Sequence, residues 1–95
     1  MAKTIERNSN RYDDTIGSDV VLNTSTYTVL LVANSLRIGY KVTNDTGNEI
    51  LINENGADFL MFKRSLYEST TDNIFIGELT AKAVTGTPTV KVVEQ

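Results

Sequence analysis

From Asp19 onward the chain is patterned in short alternations of apolar and polar positions. The clearest sets Leu36, Ile38, Tyr40 and Val42 against Arg37, Gly39, Lys41 and Thr43, the period of two expected of a half-buried strand. Before it, Val20-Val21-Leu22 opens an apolar segment that Asn23-Thr24-Ser25 interrupts, as a turn or a bulge, and residues 26–33 resume it. Asn34-Ser35 then signals a turn. Asn44-Asp45-Thr46-Gly47-Asn48 is the strongest turn in the chain, because Asn and Asp side chains close turns locally and Gly admits positive φ. It predicts a hairpin that returns through Glu49-Ile50-Leu51-Ile52-Asn53 and sets Val42 near Ile50. Glu54-Asn55-Gly56 turns the chain again into Ala57-Asp58-Phe59-Leu60-Met61-Phe62. Residues 63–68 fit either one helical turn or an irregular strand, and residues 69–73 form a loop. Residues 74–81 read as a strand with Phe75 and Leu79 on the face opposite Ile74 and Ile76. Thr85-Gly86-Thr87-Pro88 separates it from the last strand, Thr89-Val90-Lys91-Val92-Val93, with Pro88 at a permitted strand start.

Six or so short strands with turn chemistry between them predict an all-β fold, a small antiparallel β-sandwich or β-barrel. Composition agrees: Thr, Val and Ile make up 29 of the 95 residues, and these β-branched side chains suit a pleated surface better than a helix. Residues 1–19 differ. Their apolar members, Met1, Ala2, Ile5, Tyr12 and Ile16, are spaced too widely for a helical stripe or an alternating strand. The expected organisation is therefore an extended N-terminal arm over 1–19 and one β-domain over 20–95.

The chemistry available is narrow. The chain has no Cys and no His, which removes thiolate and imidazole nucleophiles, their metal sites and disulfides. A formal charge of −3 argues against general attraction to nucleic-acid backbones. The longest apolar run, Val29-Leu30-Leu31-Val32-Ala33, is far shorter than the ~20 residues of a spanning helix, and the first residues carry no apolar core of a secretory signal. Neither membrane, nucleic acid nor cofactor is expected as a partner. Asp45-Thr46-Gly47 matches the triplet of aspartic proteases, yet Thr43-Asn44 stand where a hydrophobic strand should precede it; the turn reading is preferred. Asp45, Glu49, Glu54 and Asp58 lack the spacing of a calcium loop, and Asp13-Asp14 would diverge in an extended arm. A non-enzymatic role is expected. Arg64 and Tyr67, with Phe59 and Phe62 nearby, make a candidate contact patch, since Tyr and Arg are enriched in interface hot spots. Arg37 is expected on the polar strand face, paired with Glu49 across the hairpin or with an acidic partner surface. Gly39 inside that strand marks a bulge or a close backbone approach.

Ala33-Asn34, Arg37, Gly39 and Asn44, followed by Glu49-Ile50-Leu51-Ile52, resemble small β-domains of tailed-bacteriophage virions. In those, Ala-Asn-Pro-x-Arg-x-Gly precedes an alternating strand, an Asn-rich turn and a return strand; Ser35 stands here at the proline. Ile76-Gly77-Glu78-Leu79-Thr80-Ala81, Gly86 and Val90-Lys91-Val92-Val93-Glu94 resemble the closing strands, so the likeness covers about 60 residues. It implies a virion protein, made in the host cytoplasm, that decorates or cements the capsid surface by bridging neighbouring subunits. Its partners would be the major capsid protein and itself, as a trimer or dimer. A tail, baseplate or host-adsorption adaptor is the alternative, and a free protein-binding β-module a further one, because fold does not fix role. In the cement reading Ile5, Tyr12 and Ile16 are apolar anchors, Arg7 and Arg11 polar clamps, and Arg37, Arg64 and Tyr67 further interface residues.

Overall fold

A computed structural model describes residues 17–69 and 74–95. The arm residues Ile5, Arg7, Arg11, Tyr12 and Ile16, and the Asp13-Asp14 pair, lie outside the described residues. Eight strands follow one another: β1 (Ser18–Val21), β2 (Thr28–Leu31), β3 (Tyr40–Asn44), β4 (Ile50–Glu54), β5 (Ala57–Met61), β6 (Ser65–Glu68), β7 (Leu79–Ala83) and β8 (Thr89–Glu94). They form two packed antiparallel sheets, one ordered β1-β8-β3-β6 and the other β2-β7-β4-β5. β4 pairs with β5, β3 with β6, β2 with β7 and β1 with β8. That is one long hairpin rolled up so that successive pairs fall in alternate sheets, with β3 against β8 and β4 against β7 sealing the roll. The arrangement is an eight-stranded jelly roll.

Alternation decides which side chains fill the space between the sheets. Tyr40 and Val42 of β3 and Val90 and Val92 of β8 point inward from one sheet; Ile50 and Ile52 of β4 and Leu79, Ala81 and Ala83 of β7 point inward from the other, and all are buried. Phe59, Tyr67 and Phe75 pack against this cluster. The Tyr67 ring lies 4.9 Å from Phe59 and 5.8 Å from Tyr40, inside typical aromatic pair distances.

Four expectations are corrected. β1 begins at Ser18, so the body starts two residues before the expected boundary. Leu36 and Ile38 do not continue β3: the strand starts at Tyr40, and both side chains face solvent. Residues 74–78 precede β7 rather than belonging to it. The fourth is the turn at residues 45–49, which carries the chain from β3 in one sheet to β4 in the other and forms no hairpin. Val42 pairs with Tyr67 and Val92, and Ile50 with Met61 and Ala83. The helical alternative for residues 63–68 gives way to β6, preceded by Arg64 at φ 52°.

Among the described residues, the one tight hairpin is β4–β5. Asn55 and Gly56 sit at φ 54° and 86°, the double left-handed geometry of a type I′ turn, which Asn-Gly adopts at little cost.

Asn44 explains why β3 turns out of its sheet. Its side chain points inward and is buried; Nδ2 donates to the carbonyls of Asn48 at 2.8 Å and Phe62 at 3.1 Å, and Oδ1 accepts from the Thr46 hydroxyl at 2.6 Å. One amide thus holds the β3–β4 and β5–β6 connections together, and Arg64 N–H adds a bond to the Thr46 carbonyl. Asn44→Ala is expected to cost about 1–3 kcal/mol, because the Asn48 and Phe62 carbonyls each lose one of their two donors and the Thr46 hydroxyl loses its acceptor. Asp45→Ala next to it should stay within about 0.5 kcal/mol. Urea unfolding of the two variants checks this, and equal losses would refute the role given to Asn44.

Candidate functional site

The body has two ends. One carries the β2–β3 connection, the β4–β5 hairpin, the approach to β7, the end of β8 and the start of β1; the other carries the remaining connections. What organises the first end is Arg37.

Arg37 keeps only 3% of its surface exposed. Its Nε donates to Glu94 Oε2 at 2.9 Å, Nη1 to the carbonyls of Phe75 and Gly77 at 2.6 and 3.0 Å, and Nη2 to the Val32 carbonyl at 2.6 Å. A buried guanidinium costs several kcal/mol unless its charge and its donors are met. Here the fork meets a carboxylate from β8 and carbonyls from two separate connections, a use to which a planar guanidinium is suited and an ammonium is not. In place of the expected pairing with Glu49, Arg37 pairs internally with Glu94 and leaves almost none of its own surface exposed.

Backbone bonds complete the clamp. Asn34 N–H donates to the Ile76 carbonyl at 2.8 Å, Arg37 N–H to Asn34 O at 3.1 Å, Leu36 N–H to Asn34 Oδ1 at 3.0 Å and Ile38 N–H to Gln95 O at 3.0 Å. Gly39, expected inside the strand as a bulge or a close backbone approach, lies just before β3: a Cβ there would lie 2.6 Å from Gln95 Oε1, the movable end of a side chain, and at an ordinary 3.4 Å from Ser69 O. Tyr40 spans the sandwich to give its hydroxyl to Glu54, the inward-facing last residue of β4. Burial, then that hydrogen bond, push the Tyr40 phenol well above its ordinary range, so it stays a neutral donor.

Turning Arg37 inward turns its neighbours outward. Leu36 is 85% exposed, and Val32, Ile38 and Ile76 are also exposed. All four flank groups bonded to the clamp, so this end presents aliphatic side chains on a fixed backbone. That is the physical form of a contact surface, since ordering costs are met before a partner arrives. The candidate patch around Arg64 divides instead. Phe59 and Tyr67 pack on the core, whereas Phe62, Leu66 and Arg64 are exposed at the second end, Arg64 lying 3.9 Å from the exposed Asp45. Tyr67 is thus a packing residue more than a contact residue, and Asp45 sits in a solvated turn. The four acids weighed for calcium are split: Asp45 and Glu49 lie at the second end, Glu54 and Asp58 at the first. No group of three or more metal-ligating side chains occurs among the described residues.

The outer face of the β2-β7-β4-β5 sheet holds one further cluster. Asp58 accepts from Tyr27 Oη at 2.7 Å and Asn53 Nδ2 at 2.8 Å, and Lys82 Nζ lies 5.0 Å from the centre of the Tyr27 ring. The Asn53 amide first, then the Tyr27 hydroxyl, hold the Asp58 carboxyl below its usual range; the same hydrogen bond raises the Tyr27 phenol.

The buried polar groups left a trace in the sequence. Glu94 has the parity of Val90 and Val92, and Glu54 that of Ile50 and Ile52, so alternation alone aims both acids inward, where each needs a donor. No protein-family model, curated protein or solved structure matches this chain.

Arg37→Met is expected to cost about 3–5 kcal/mol by orphaning three carbonyls and Glu94, and Arg37→Lys nearly as much, while Arg64→Met should change stability by less than about 0.5 kcal/mol. Equal denaturation midpoints for the Arg37 and Arg64 variants would rule the clamp out. Asp58 titrates below its unfolded value of about 3.9, so its stabilisation is present above that pH and is lost as pH falls through the lowered folded value. Asp58→Asn is accordingly expected to lower the denaturation midpoint at neutral pH, with the difference from the parent closing in acid. A difference that persists unchanged in strong acid would contradict this.

Proposed function

We propose that this chain is a non-enzymatic structural protein of a phage particle that decorates or cements the capsid by bridging neighbouring capsid subunits. The observation that carries the contact role is the Arg37 end, where Val32, Leu36, Ile38 and Ile76 stand exposed on a hydrogen-bonded frame. The assignment to a virion rests on the resemblance carried by Ala33-Asn34, Arg37, Gly39 and Asn44. A jelly roll is used by viral capsid domains among others, which is an analogy of fold.

A bridging protein needs two surfaces. The second end supplies Phe62, Leu66 and Arg64 on the connection fixed by Asn44, and residues 1–16 supply Ile5, Arg7, Arg11, Tyr12 and Ile16 as a third element. A typical specific interface buries about 1,600 Å², and many copies on one lattice multiply a modest contact through avidity. Arg64 and Arg37 thus take different parts: the first touches partners, the second shapes what touches them.

Particles assembled with Leu36→Asp and Ile38→Asp together are expected to carry fewer copies of this protein and to lose integrity at lower temperature than the parent, measured by copy number per particle and by genome release on heating. Both side chains lie outside the core, so the variant keeps its fold. Full occupancy and unchanged heat resistance would refute the role of this end. A small ring of copies at the tail would select the adaptor reading, and absence from particles the free module.

A further inference from the structure

The tip of the β4–β5 hairpin joins two groups that react with one another. Asn55 is the one asparagine in the chain followed by glycine, and both residues of the pair are exposed. Glycine places no side chain beside its own nitrogen, and the space around Gly56 is open, since a Cβ built there would meet nothing within 4 Å. A backbone nitrogen next to an asparagine side chain attacks it, which is one reason asparagine is thermolabile. The Gly56 nitrogen forms a bond to Asn55 Cγ, the Cγ–Nδ2 bond breaks, and Nδ2 leaves as ammonia with the proton that Gly56 gives up. Water then opens the cyclic imide at either carbonyl, leaving aspartate or isoaspartate.

The fold opposes the first step through one hydrogen bond. Gly56 N–H donates to Asn53 Oδ1 at 3.1 Å, so the Asn55-Gly56 peptide must rotate and break that bond before its nitrogen can turn to Asn55 Cγ. The orientation of the Asn53 amide is itself set. Its Nδ2 donates to Asp58 Oδ1 at 2.8 Å, and Tyr27 Oη donates to the same oxygen at 2.7 Å. An amide whose nitrogen is claimed by a carboxylate has its oxygen left to accept from Gly56. The cluster on the outer face of the β2-β7-β4-β5 sheet thus continues, bond by bond, to the nitrogen at the hairpin tip.

We propose that Asn55 is the site at which this protein undergoes spontaneous deamidation, and that Asn53, positioned by Asp58, sets the rate. The product matters because of where it forms. Isoaspartate carries the backbone through an extra carbon, and a two-residue turn has no slack for one while Glu54 stays paired with Ala57 and Asn53 with Asp58. Glu54 accepts the Tyr40 hydroxyl across the sandwich, so a change at an exposed tip reaches a buried contact. The new carboxylate also makes a chain of formal charge −3 one unit more negative, close to Glu54 and Asp58.

Purified full-length protein is incubated in mildly basic buffer, folded or in concentrated guanidinium chloride, and aspartate and isoaspartate at each asparagine are followed by peptide mapping. In denaturant Asn55 is expected to be the first asparagine modified, at a rate at least about tenfold above that of Asn55 in the folded protein. Folded Asn53→Ala should modify at Asn55 at least about fivefold faster than the folded parent, and Asp58→Ala at least about twofold faster, as Gly56 N–H loses its acceptor or the acceptor loses its orientation. Val92→Ala, which lowers melting through a cavity in the other sheet and leaves the Asn53 bonds in place, should stay within about twofold of the parent. Another asparagine modified first in denaturant, equal rates in folded and unfolded chains, an Asn53→Ala or Asp58→Ala rate no higher than the parent's, or a Val92→Ala rate as high as that of Asn53→Ala would each overturn the proposal.

Discussion

A guanidinium taken out of water fixes the shape of half of this molecule. Arg37 leaves solvent only because the Val32, Phe75 and Gly77 carbonyls and the Glu94 carboxylate converge on it, and each of those groups is thereby held where its own chain segment must follow. The β2–β3 connection and the segment leading into β7, which extend the β2–β7 ladder, become a single frame. The exposure of Leu36 and Ile38 is the other side of the same constraint. With Arg37 committed to the interior, its neighbours point away from it, and the penalty of two exposed aliphatic side chains is smaller than that of an unpaired buried charge.

Polar groups seal the core as much as apolar ones fill it. β3 carries the pattern in miniature: Val42 packs at the middle, Tyr40 reaches across to Glu54 at one end and Asn44 ties two connections at the other. In a domain this small little apolar area is available, and directional bonds at the two ends prevent the sheets from sliding or splaying. Hence the molecule is polar inside its ends and apolar outside them, opposite to the usual partition. Exposed aliphatic side chains stand at both ends as a result.

Strand positions were readable in the sequence wherever alternation and turn chemistry agreed. Ile50 and Ile52, the Asn55-Gly56 hairpin and Val90 with Val92 took the places that the pattern assigned to them. Alternation misled at Leu36 and Ile38, because a period of two measures only which residues differ from their neighbours; it does not distinguish a pleated strand from an extended connection in which the charged residue is the buried one. Turn chemistry at residues 44–48 marked a reversal correctly but carried no information on which sheet receives the returning strand. That choice is made by Asn44, through bonds to residues 4 and 18 positions away. The partners of Arg37, between 5 and 57 positions away, were likewise out of reach of any local pattern, although the inward parity of Glu94 and Glu54 was there to be used.

The rolled hairpin also sets the order in which the structure can be made. Among the described strands only β4 and β5 are neighbours in sequence as well as in the sheet, so their Asn-Gly turn is the cheapest nucleus, and every further pair closes a longer loop than the last. β8 lies between β1 and β3, so β1 has no neighbour and β3 only β6 until residues 89–94 have been synthesised. Glu94 arrives with them. During synthesis, Arg37 is a cation waiting in water for a counter-charge made 57 residues later, and the segment that presents Leu36 and Ile38 cannot set before then. The Arg37 end of the molecule is thus completed last, which keeps its apolar side chains from being held out rigidly on an unfinished chain.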